Sequence, residues 1–214
     1  LYQRKIDGIG QYIDVSMLDC QLTLMENALS RYFASGKTPG PLGSRHPSAA
    51  PFQAFKAKDG YFVVALLTDS NKKWNIFCDA IDQPELKDDP LFESNLNRSD
   101  NVDALVLHLS KRFSLMPVKH WLEVLSEANV PCGPVNDIRE VTLDPQVKHR
   151  NMIRRINQSG ESWQVANTPF RFSNGTTGPA GSSPDLGEHT EILLRDILNI
   201  SHNDLNDLRE KGIV

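Results

Sequence analysis

Apolar and polar residues follow their clearest pattern between Pro51 and Cys78, which predicts a strand, a tight turn, a second strand and a helix. Asp59-Gly60 lies between two apolar runs and signals a β-hairpin, because both residue types tolerate positive φ. The run from Tyr61 to Leu67 is almost entirely apolar, so we expect both faces of this strand to be covered. Polar residues that can cap a helix come next, and then apolar residues at helical spacing: Thr68, Asp69 and Ser70, followed by Trp74, Phe77, Cys78 and Ile81.

The first forty residues predict a strand that leads into a long helix. Gln11 to Ser16 alternates polar and apolar residues, and the following segment carries an apolar stripe made of Leu18, Leu22, Met25, Leu29 and Phe33. This stripe predicts one helix from Met17 to about Ser35, closed by Gly36. A strand that feeds a long helix is typical of an α/β layer. Because the chain opens at Leu1 with what resembles the last turn of a helix, we expect it to be the C-terminal portion of a longer protein.

Two stretches rich in Pro, Gly and Ser separate the remaining patterned segments. Between them the sequence predicts two amphipathic helices, a short extended piece with two prolines, and a second hairpin around Ser159-Gly160. The sequence thus indicates an α/β protein with a tail of a large domain and a small α+β domain. We expect five parts: 1–37 in the large α/β domain, 38–50 as a linker, 51–167 as the small domain, 168–186 as a second linker, and 187–214 as terminal helices that return to the large domain.

Composition narrows the class of protein further. The net charge is -4 over 214 residues, without the basic stripe of a nucleic-acid-binding protein. No apolar run is long enough to span a bilayer, so we expect a soluble protein that binds neither nucleic acid nor membrane. The three cysteines, Cys20, Cys78 and Cys132, form no metal-type pair. We expect no metal, small buried thiols at Cys20 and Cys78, and a reducing, cytoplasmic compartment.

Candidate chemistry is sparse. The sequence contains no phosphate-binding glycine loop, zinc-protease motif or nucleophile elbow. His189 and Glu188 fall at a predicted helix start, and Asp19 falls in a first helical turn, so local structural roles explain them. The best candidates are Ser44, Arg45 and His46, because a loop with a cation and an imidazole can bind an anion or cover a pocket. A solvated linker explains the same loop equally well, and these residues alone specify no reaction.

Five segments in one order resemble a known family. They are Gly10-Gln11-Tyr12-Ile13-Asp14-Val15-Ser16-Met17-Leu18-Asp19, Pro51-Phe52-Gln53-Ala54-Phe55 with Lys58-Asp59-Gly60-Tyr61, Asn129-Val130-Pro131-Cys132-Gly133-Pro134-Val135, Asp144-Pro145-Gln146-Val147, and Leu186-Gly187-Glu188-His189-Thr190. Together they resemble the C-terminal half of a family III CoA-transferase, and the hairpin most resembles the dicarboxylate enzymes of the family. The resemblance implies a Rossmann-like large domain, a small domain, and a homodimer of interlocked subunits.

The resemblance also implies an activity. An aspartate would attack an acyl-CoA thioester, and CoA would pass through an aspartyl thioester to an acceptor carboxylic acid. In the family this aspartate precedes the Gly-Gln-x-x-Asp-Val segment, so it would lie before Leu1 and the catalytic residue of this chain is unknown. Neither Asp14 nor Asp19 takes its place. We therefore expect an acyl-CoA thioester and a carboxylic acid as substrates, and no activity from this chain alone.

The resemblance assigns two sites to this chain. Met17 matches a family position that lines the CoA site. Ser44, Arg45 and His46 stand where the formyl-CoA enzyme has a glycine-rich loop over its active site, but the glycine run is missing. Arg45 would then pair with the second carboxylate of a dicarboxylic acid. Two alternatives stay open. One is an acyl-CoA racemase, mildly disfavoured because Thr68-Asp69-Ser70-Asn71 stands where the racemases have a glutamate. The other is a non-catalytic, truncated module that only dimerises or binds a partner.

Overall fold

The computed structural model describes residues 1–67, 70–158, 160–179 and 181–214. The chain divides into two compact units, residues 1–135 and 136–214. The regular elements among the described residues are helices and two small antiparallel sheets, which confirms the α/β class. The five-part division made from the sequence stays a prediction.

The first unit contains a three-stranded sheet and seven α-helices among its described residues. The strands are β1 (Phe52–Lys56), β2 (Tyr61–Ala65) and β3 (Cys132–Pro134). The helices are α1 (Tyr2–Asp7), α2 (Met17–Leu24), α3 (Glu26–Ser35), α4 (Asn71–Ala80), α5 (Asn95–Asp100), α6 (Val102–Phe113) and α7 (Val118–Glu127), with a short 3-10 turn at Pro84–Lys87. The sheet order is β1-β2-β3 with every pair antiparallel, so β1 is an edge strand.

The predicted hairpin is confirmed, but its turn works differently from the expectation. Neither Asp59 nor Gly60 adopts positive φ; the Ala57 N–H instead donates to the Gly60 carbonyl at 2.8 Å. The Asp59 carboxylate accepts the Val118 N–H at 2.8 Å and so caps the start of α7. A Cβ on residue 60 would come within 3.3 Å of the Val118 side chain, so glycine is favoured there by close packing. The Asp-Gly pair therefore ties the hairpin to a helix.

The expectation that both faces of the second strand are covered was wrong. Phe62, Val64 and Leu66 are buried, whereas Tyr61 and Leu67 are more than half exposed. Val63 and Ala65, on the second face, are only partly buried, so one face of the strand is fully covered and the other in part. The predicted helix after the strand is confirmed as α4, with Ser70 at its N-cap. The other two cap candidates, Thr68 and Asp69, lie outside the described residues.

The core of the first unit is built around Phe113, the last residue of α6. Its ring makes edge-to-face contacts at centroid distances of 5.0 Å to Phe55, 5.0 Å to Phe62 and 5.1 Å to Trp121. The Trp121 indole N–H donates to the Phe113 carbonyl at 2.8 Å, so its polar atom is satisfied although the side chain is buried. One aromatic residue thus joins both hairpin strands to α6 and α7.

The N-terminal segment differs from its prediction in two ways. Residues 11–16 form no strand, because no described strand lies beside them to share a hydrogen-bond ladder. The predicted long helix is present as two, α2 and α3, with a break at Met25. Gly36 closes α3 in the left-handed conformation, as expected. Most of the apolar stripe is solvent-exposed, including Leu18 and Phe33.

The second unit contains a two-stranded sheet and four α-helices among its described residues. They are α8 (Ile138–Leu143), α9 (Pro145–His149), β4 (Ile153–Gln158), β5 (Glu161–Ala166), α10 (Thr190–Asp196) and α11 (His202–Glu210). The antiparallel pairing of β4 with β5 confirms the second hairpin, while its turn residue Ser159 lies outside the described residues. No helix in the part of the chain described is long and apolar enough to cross a bilayer.

Polar contacts define the helix ends of the second unit. Asp137 and Glu140 form a capping box at the start of α8, with hydrogen bonds of 2.7 and 2.8 Å. Arg209 of α11 donates to Glu191 of α10 at 2.8 Å. This bond and that from Arg195 hold the pKa of Glu191 below its usual value. Of the two exposed ion pairs, only that of Arg209 joins α11 to α10, and its energetic contribution is small.

Replacing Phe113 by Ala is expected to lower the free energy of unfolding by about 3–5 kcal/mol, because three aromatic contacts are lost and a cavity remains. Phe33→Ala is the matched control, since Phe33 is 77% exposed and should change stability by about 0.5 kcal/mol or less. Urea denaturation followed by tryptophan fluorescence measures both. Equal effects of the two substitutions would contradict the assigned core.

The exposed apolar stripe of α2 and α3 is expected to make the isolated 214-residue chain self-associate. Sedimentation velocity should show concentration-dependent oligomers, and the double substitution Leu18→Glu and Phe33→Glu should reduce them. Leu107→Glu, at an exposed leucine of α6, serves as the control and should leave association unchanged. A monodisperse monomer of the unmodified chain would count against this prediction.

Candidate functional site

The segment before β1 is an ordered loop along the free edge of that strand. The His46 N–H donates to the Phe52 carbonyl at 2.9 Å, and the Ala54 N–H donates to the Ser44 hydroxyl at 3.2 Å. These are backbone groups of β1 that face away from β2, so the loop satisfies a strand edge that would otherwise be open. The contacts show that this segment is ordered, while its role in binding an anion or covering a pocket stays a prediction. We call residues 44–51 the edge loop.

Helix α5 holds the other end of the edge loop. Asn95 donates through Nδ2 to the Ser48 carbonyl at 2.8 Å and accepts the Ala50 N–H on Oδ1 at 3.3 Å. The fully buried Arg98 donates through Nε to the Ala50 carbonyl at 2.9 Å, and its guanidinium lies 4.6 Å from the Trp74 ring centroid. The Ala50–Pro51 peptide bond is cis. The loop is thus fixed at both ends by hydrogen bonds.

His46 is held by its ring as well as by its backbone. The imidazole stacks on Phe52 with a centroid distance of 4.8 Å and an interplanar angle of 3°. Its Nδ1 accepts the Ser48 N–H at 3.3 Å. The His46 side chain belongs to a partly buried residue. Its remaining ring nitrogen, Nε2, makes no hydrogen bond among the described contacts and is therefore available to a ligand.

Arg45 already binds a carboxylate in this structure. Its Nη2 lies 2.7 Å from Oδ1 of Asp103, in the first turn of α6. The Arg45 side chain is 34% exposed and that of Asp103 is 86% exposed. An ion pair this exposed contributes little to stability, below about 1 kcal/mol, so a ligand carboxylate can replace Asp103 at small cost.

The structure brings together Ser44, Arg45 and His46 but not Met17. Met17 is 85% exposed at the start of α2, after the N-cap Ser16. Among the described residues, no hydrogen bond or ion pair joins the segment around Met17 to the edge loop. Its role in CoA binding stays a prediction.

Sequence reasoning missed three residues that hold the edge loop: Asn95, Arg98 and Asp103. Asn95 and Arg98 occur three residues apart, at spacing that places them on one helix face, but the sequence around them is irregular and predicts no helix. The buried charge of Arg98 has no pattern that distinguishes it from an exposed arginine. Only a helix predicted over 95–100 would have placed Asn95 and Arg98 on the same face.

An apolar groove of about 300 Å³ lies at the C-terminal end of β2. Leu66, Leu67, Ile76 and Val130 supply apolar walls, and Lys73 supplies a cation. Of the stretch that stands where the racemases have a glutamate, Thr68 and Asp69 lie outside the described residues, whereas Ser70 and Asn71 form the N-cap and first residue of α4. Within the described ranges, no group of three or more His, Cys, Asp or Glu side chains is arranged to hold a metal ion.

The other polar candidates have local roles. Glu188 accepts the Asp185 N–H at 2.7 Å, and His189 is the N-cap residue of α10. The Asp19 N–H donates to the Ser16 hydroxyl at 3.5 Å at the start of α2. The His189 side chain makes no capping hydrogen bond, and the Asp19 contact uses its backbone N–H. The structural roles expected for these side chains stay a prediction.

The cysteines differ from one another in environment. Cys78 is fully buried, and burial raises the pKa of its thiol to about 12 by disfavouring the thiolate. Cys20 is exposed, so the expectation of a buried thiol there was wrong. The helix that carries Cys20 has no buried residues, because no described element covers it.

Comparison with known proteins gives a consistent family. Residues 1–190 match the model of CoA-transferase family III. The chain is 44% identical over 153 residues to an acetyl-CoA:oxalate CoA-transferase from Acetobacter aceti, covering 72% of this chain and 39% of that protein. It is 30% identical over 215 residues to the human succinyl-CoA:glutarate CoA-transferase, covering 100% of this chain and 49% of that protein. The resemblance found in the sequence is confirmed.

Solved structures agree with the fold. A CAIB/BAIF family protein from Brucella suis superposes with a TM-score of 0.76 at 32% identity, covering 91% of this chain and 50% of that chain. The chain thus spans about half the length, or less, of the relatives it matches.

Cys20 and Cys78 are expected to differ in their reactivity toward iodoacetamide. At pH 8 the exposed Cys20 should be alkylated, whereas Cys78 should stay unmodified because its raised pKa leaves almost no thiolate. Peptide mass spectrometry reads each site separately, and treatment in urea provides the control in which all three thiols react. Alkylation of Cys78 in the folded chain at the rate of Cys20 would contradict the assigned burial.

Proposed function

We propose that this chain, which belongs to CoA-transferase family III, is part of an acyl-CoA:carboxylate CoA-transferase that uses a dicarboxylic acid. The observation that carries the proposal is Arg45, which holds a carboxylate at 2.7 Å on a loop anchored at both ends. Relatives whose names include oxalate and glutarate, both dicarboxylic acids, support the substrate class.

Recognition would proceed by exchange of one carboxylate for another. One substrate carboxylate enters the reaction, and the second replaces Asp103 on the Arg45 guanidinium. A planar guanidinium binds a carboxylate through two parallel hydrogen bonds, which fixes its orientation as well as its position. Rigidity of the edge loop supports this role, because a fixed cation holds the reacting carboxylate in place with less loss of entropy.

The covalent course follows the family resemblance. An aspartate carboxylate attacks the thioester carbonyl, and CoA leaves as a thiolate, giving a mixed anhydride. The thiolate then attacks the aspartyl carbonyl and releases the donor acid, which leaves an aspartyl-CoA thioester. The acceptor carboxylate repeats the two steps in reverse order, and the aspartate is regenerated. We assign this aspartate upstream of the present chain.

The remaining assignments are proposals of the same kind. Met17 would line the CoA site, and residues 1–37 with 187–214 would belong to the large domain of an interlocked, cytoplasmic homodimer. Residues 51–167 would form the small domain. The exposed apolar stripe of α2 and α3 supports a covering partner surface in the complete protein.

The test is CoA transfer by the full-length protein, from succinyl-CoA to ¹³C-labelled glutarate or oxalate, with products followed by mass spectrometry. Arg45→Gln is expected to raise KM for the dicarboxylic acid about 10- to 100-fold, because a charge-assisted hydrogen bond is lost. Activity with acetate should change much less, since acetate has no second carboxylate. Lys56→Gln, which removes an exposed charge at the end of β1, is the control.

Three results would overturn the proposal. Equal effects of Arg45→Gln on glutarate and acetate would remove Arg45 from dicarboxylate recognition. Absence of transfer, together with exchange of an α-proton for solvent deuterium, would favour the racemase alternative. Binding without turnover of either kind would favour a non-catalytic module.

A further inference from the structure

We infer that Asn95 is a positioning residue that acts through Ser48 on His46, so that the imidazole presents Nε2–H as a fixed hydrogen-bond donor to a substrate oxygen. The substrate part of this inference rests on the proposed function. The positioning part rests only on contacts within the first unit.

The contact of Ser48 with His46 determines which ring nitrogen carries the proton. The Ser48 backbone N–H is a donor, and it points at Nδ1 of His46 at 3.3 Å. Nδ1 must therefore offer a lone pair, because two N–H groups do not share a hydrogen bond. In the neutral ring the proton is then on Nε2. A ring in this tautomer donates at Nε2, so there it serves as a hydrogen-bond donor rather than as a base.

Two further contacts fix the direction of that donor. Stacking on Phe52, at a centroid distance of 4.8 Å, sets the plane of the imidazole. The hydrogen bond from the His46 backbone N–H to the Phe52 carbonyl fixes the position of the His46 backbone. Because Phe52 is the first residue of β1, these two contacts fix the position of the imidazole relative to the sheet. A donor held in this way needs no reorganisation when charge develops on a thioester or carboxylate oxygen.

Asn95 is chemically matched to the segment that it holds. Its amide donates to the Ser48 carbonyl and accepts the Ala50 N–H, so it bonds to the loop as a neighbouring strand would. Aspartate keeps the acceptor but loses the donor, and alanine loses both. The Ser48 carbonyl that Asn95 holds lies one peptide unit after the Ser48 N–H that faces His46. Without Asn95 the backbone on the C-terminal side of Ser48 loses its hydrogen bonds to Asn95, so the N–H that selects the His46 tautomer is held less firmly.

The same helix offers a matched control. Asn97 is partly buried like Asn95, and its Nδ2 donates to the Pro90 carbonyl at 2.9 Å. It makes no side-chain hydrogen bond to the edge loop among the described contacts. Asn97→Ala therefore removes an equivalent side-chain amide from α5 while leaving Ser48 and Ala50 bonded.

The experiment compares Asn95→Ala, Asn95→Asp and Asn97→Ala in the full-length protein. Hydrogen exchange of the peptide covering 44–51 should accelerate roughly tenfold in Asn95→Ala, less in Asn95→Asp, and not in Asn97→Ala. Nitrogen-15 NMR of labelled histidine should report the Nε2–H tautomer for His46 in the unmodified protein, and a mixture of tautomers in Asn95→Ala. In transfer assays, kcat should fall roughly tenfold in Asn95→Ala but stay unchanged in Asn97→Ala.

The outcomes separate the two levels of the inference. Unchanged exchange and an unchanged tautomer in both Asn95 variants would overturn the positioning role, whatever the enzyme does. If the loop responds as expected but the unmodified protein transfers no CoA, the positioning role stands and the proposed function fails. If the loop responds and kcat does not, the donor role of His46 is overturned. Asn95→Asp keeps the test valid if Asn95→Ala does not fold.

Discussion

The free edge of β1 is the constraint on which the candidate site depends. An edge strand exposes backbone N–H and C=O groups that need partners, and here Ser44 and His46 supply them. The loop that satisfies the edge also carries the cation Arg45 between those two residues. The position of Arg45 therefore follows in part from completing the sheet edge.

The hydrophobic core and the site share one helix. Phe113, the last residue of α6, contacts both hairpin strands. The first turn of the same helix carries Asp103, which forms an ion pair with Arg45. Helix α5 precedes α6 directly and clamps the other end of the edge loop through Asn95 and Arg98. Core packing thus sets the distance between the sheet edge and the two helices that fix the loop. The hydrogen bonds and the ion pair then orient the edge loop on elements that aromatic contacts already hold together.

Local pattern was sufficient for elements that are stabilised locally. The Asp59-Gly60 signal found the first hairpin, and helical spacing found α4, α6 and α7. It failed for residues 11–16, where an alternating pattern has no described strand to pair with. It also missed Asn95 and Arg98, whose partners Ser48 and Ala50 lie 47 and 48 residues away in sequence. Contacts of that range leave no periodicity, so the loop residues were found while the residues that position them were not. The family resemblance supplied the reaction class, which no spacing in this chain encodes.

The central claim is that the edge loop places Arg45 to receive a substrate carboxylate in exchange for Asp103. A crystal structure of the full-length protein with CoA and glutarate tests it most directly. The account predicts a glutarate carboxylate within about 2.7–3.2 Å of the Arg45 guanidinium, with Asp103 released and the edge loop unmoved. Glutarate bound elsewhere, with Arg45 still paired to Asp103, would contradict it.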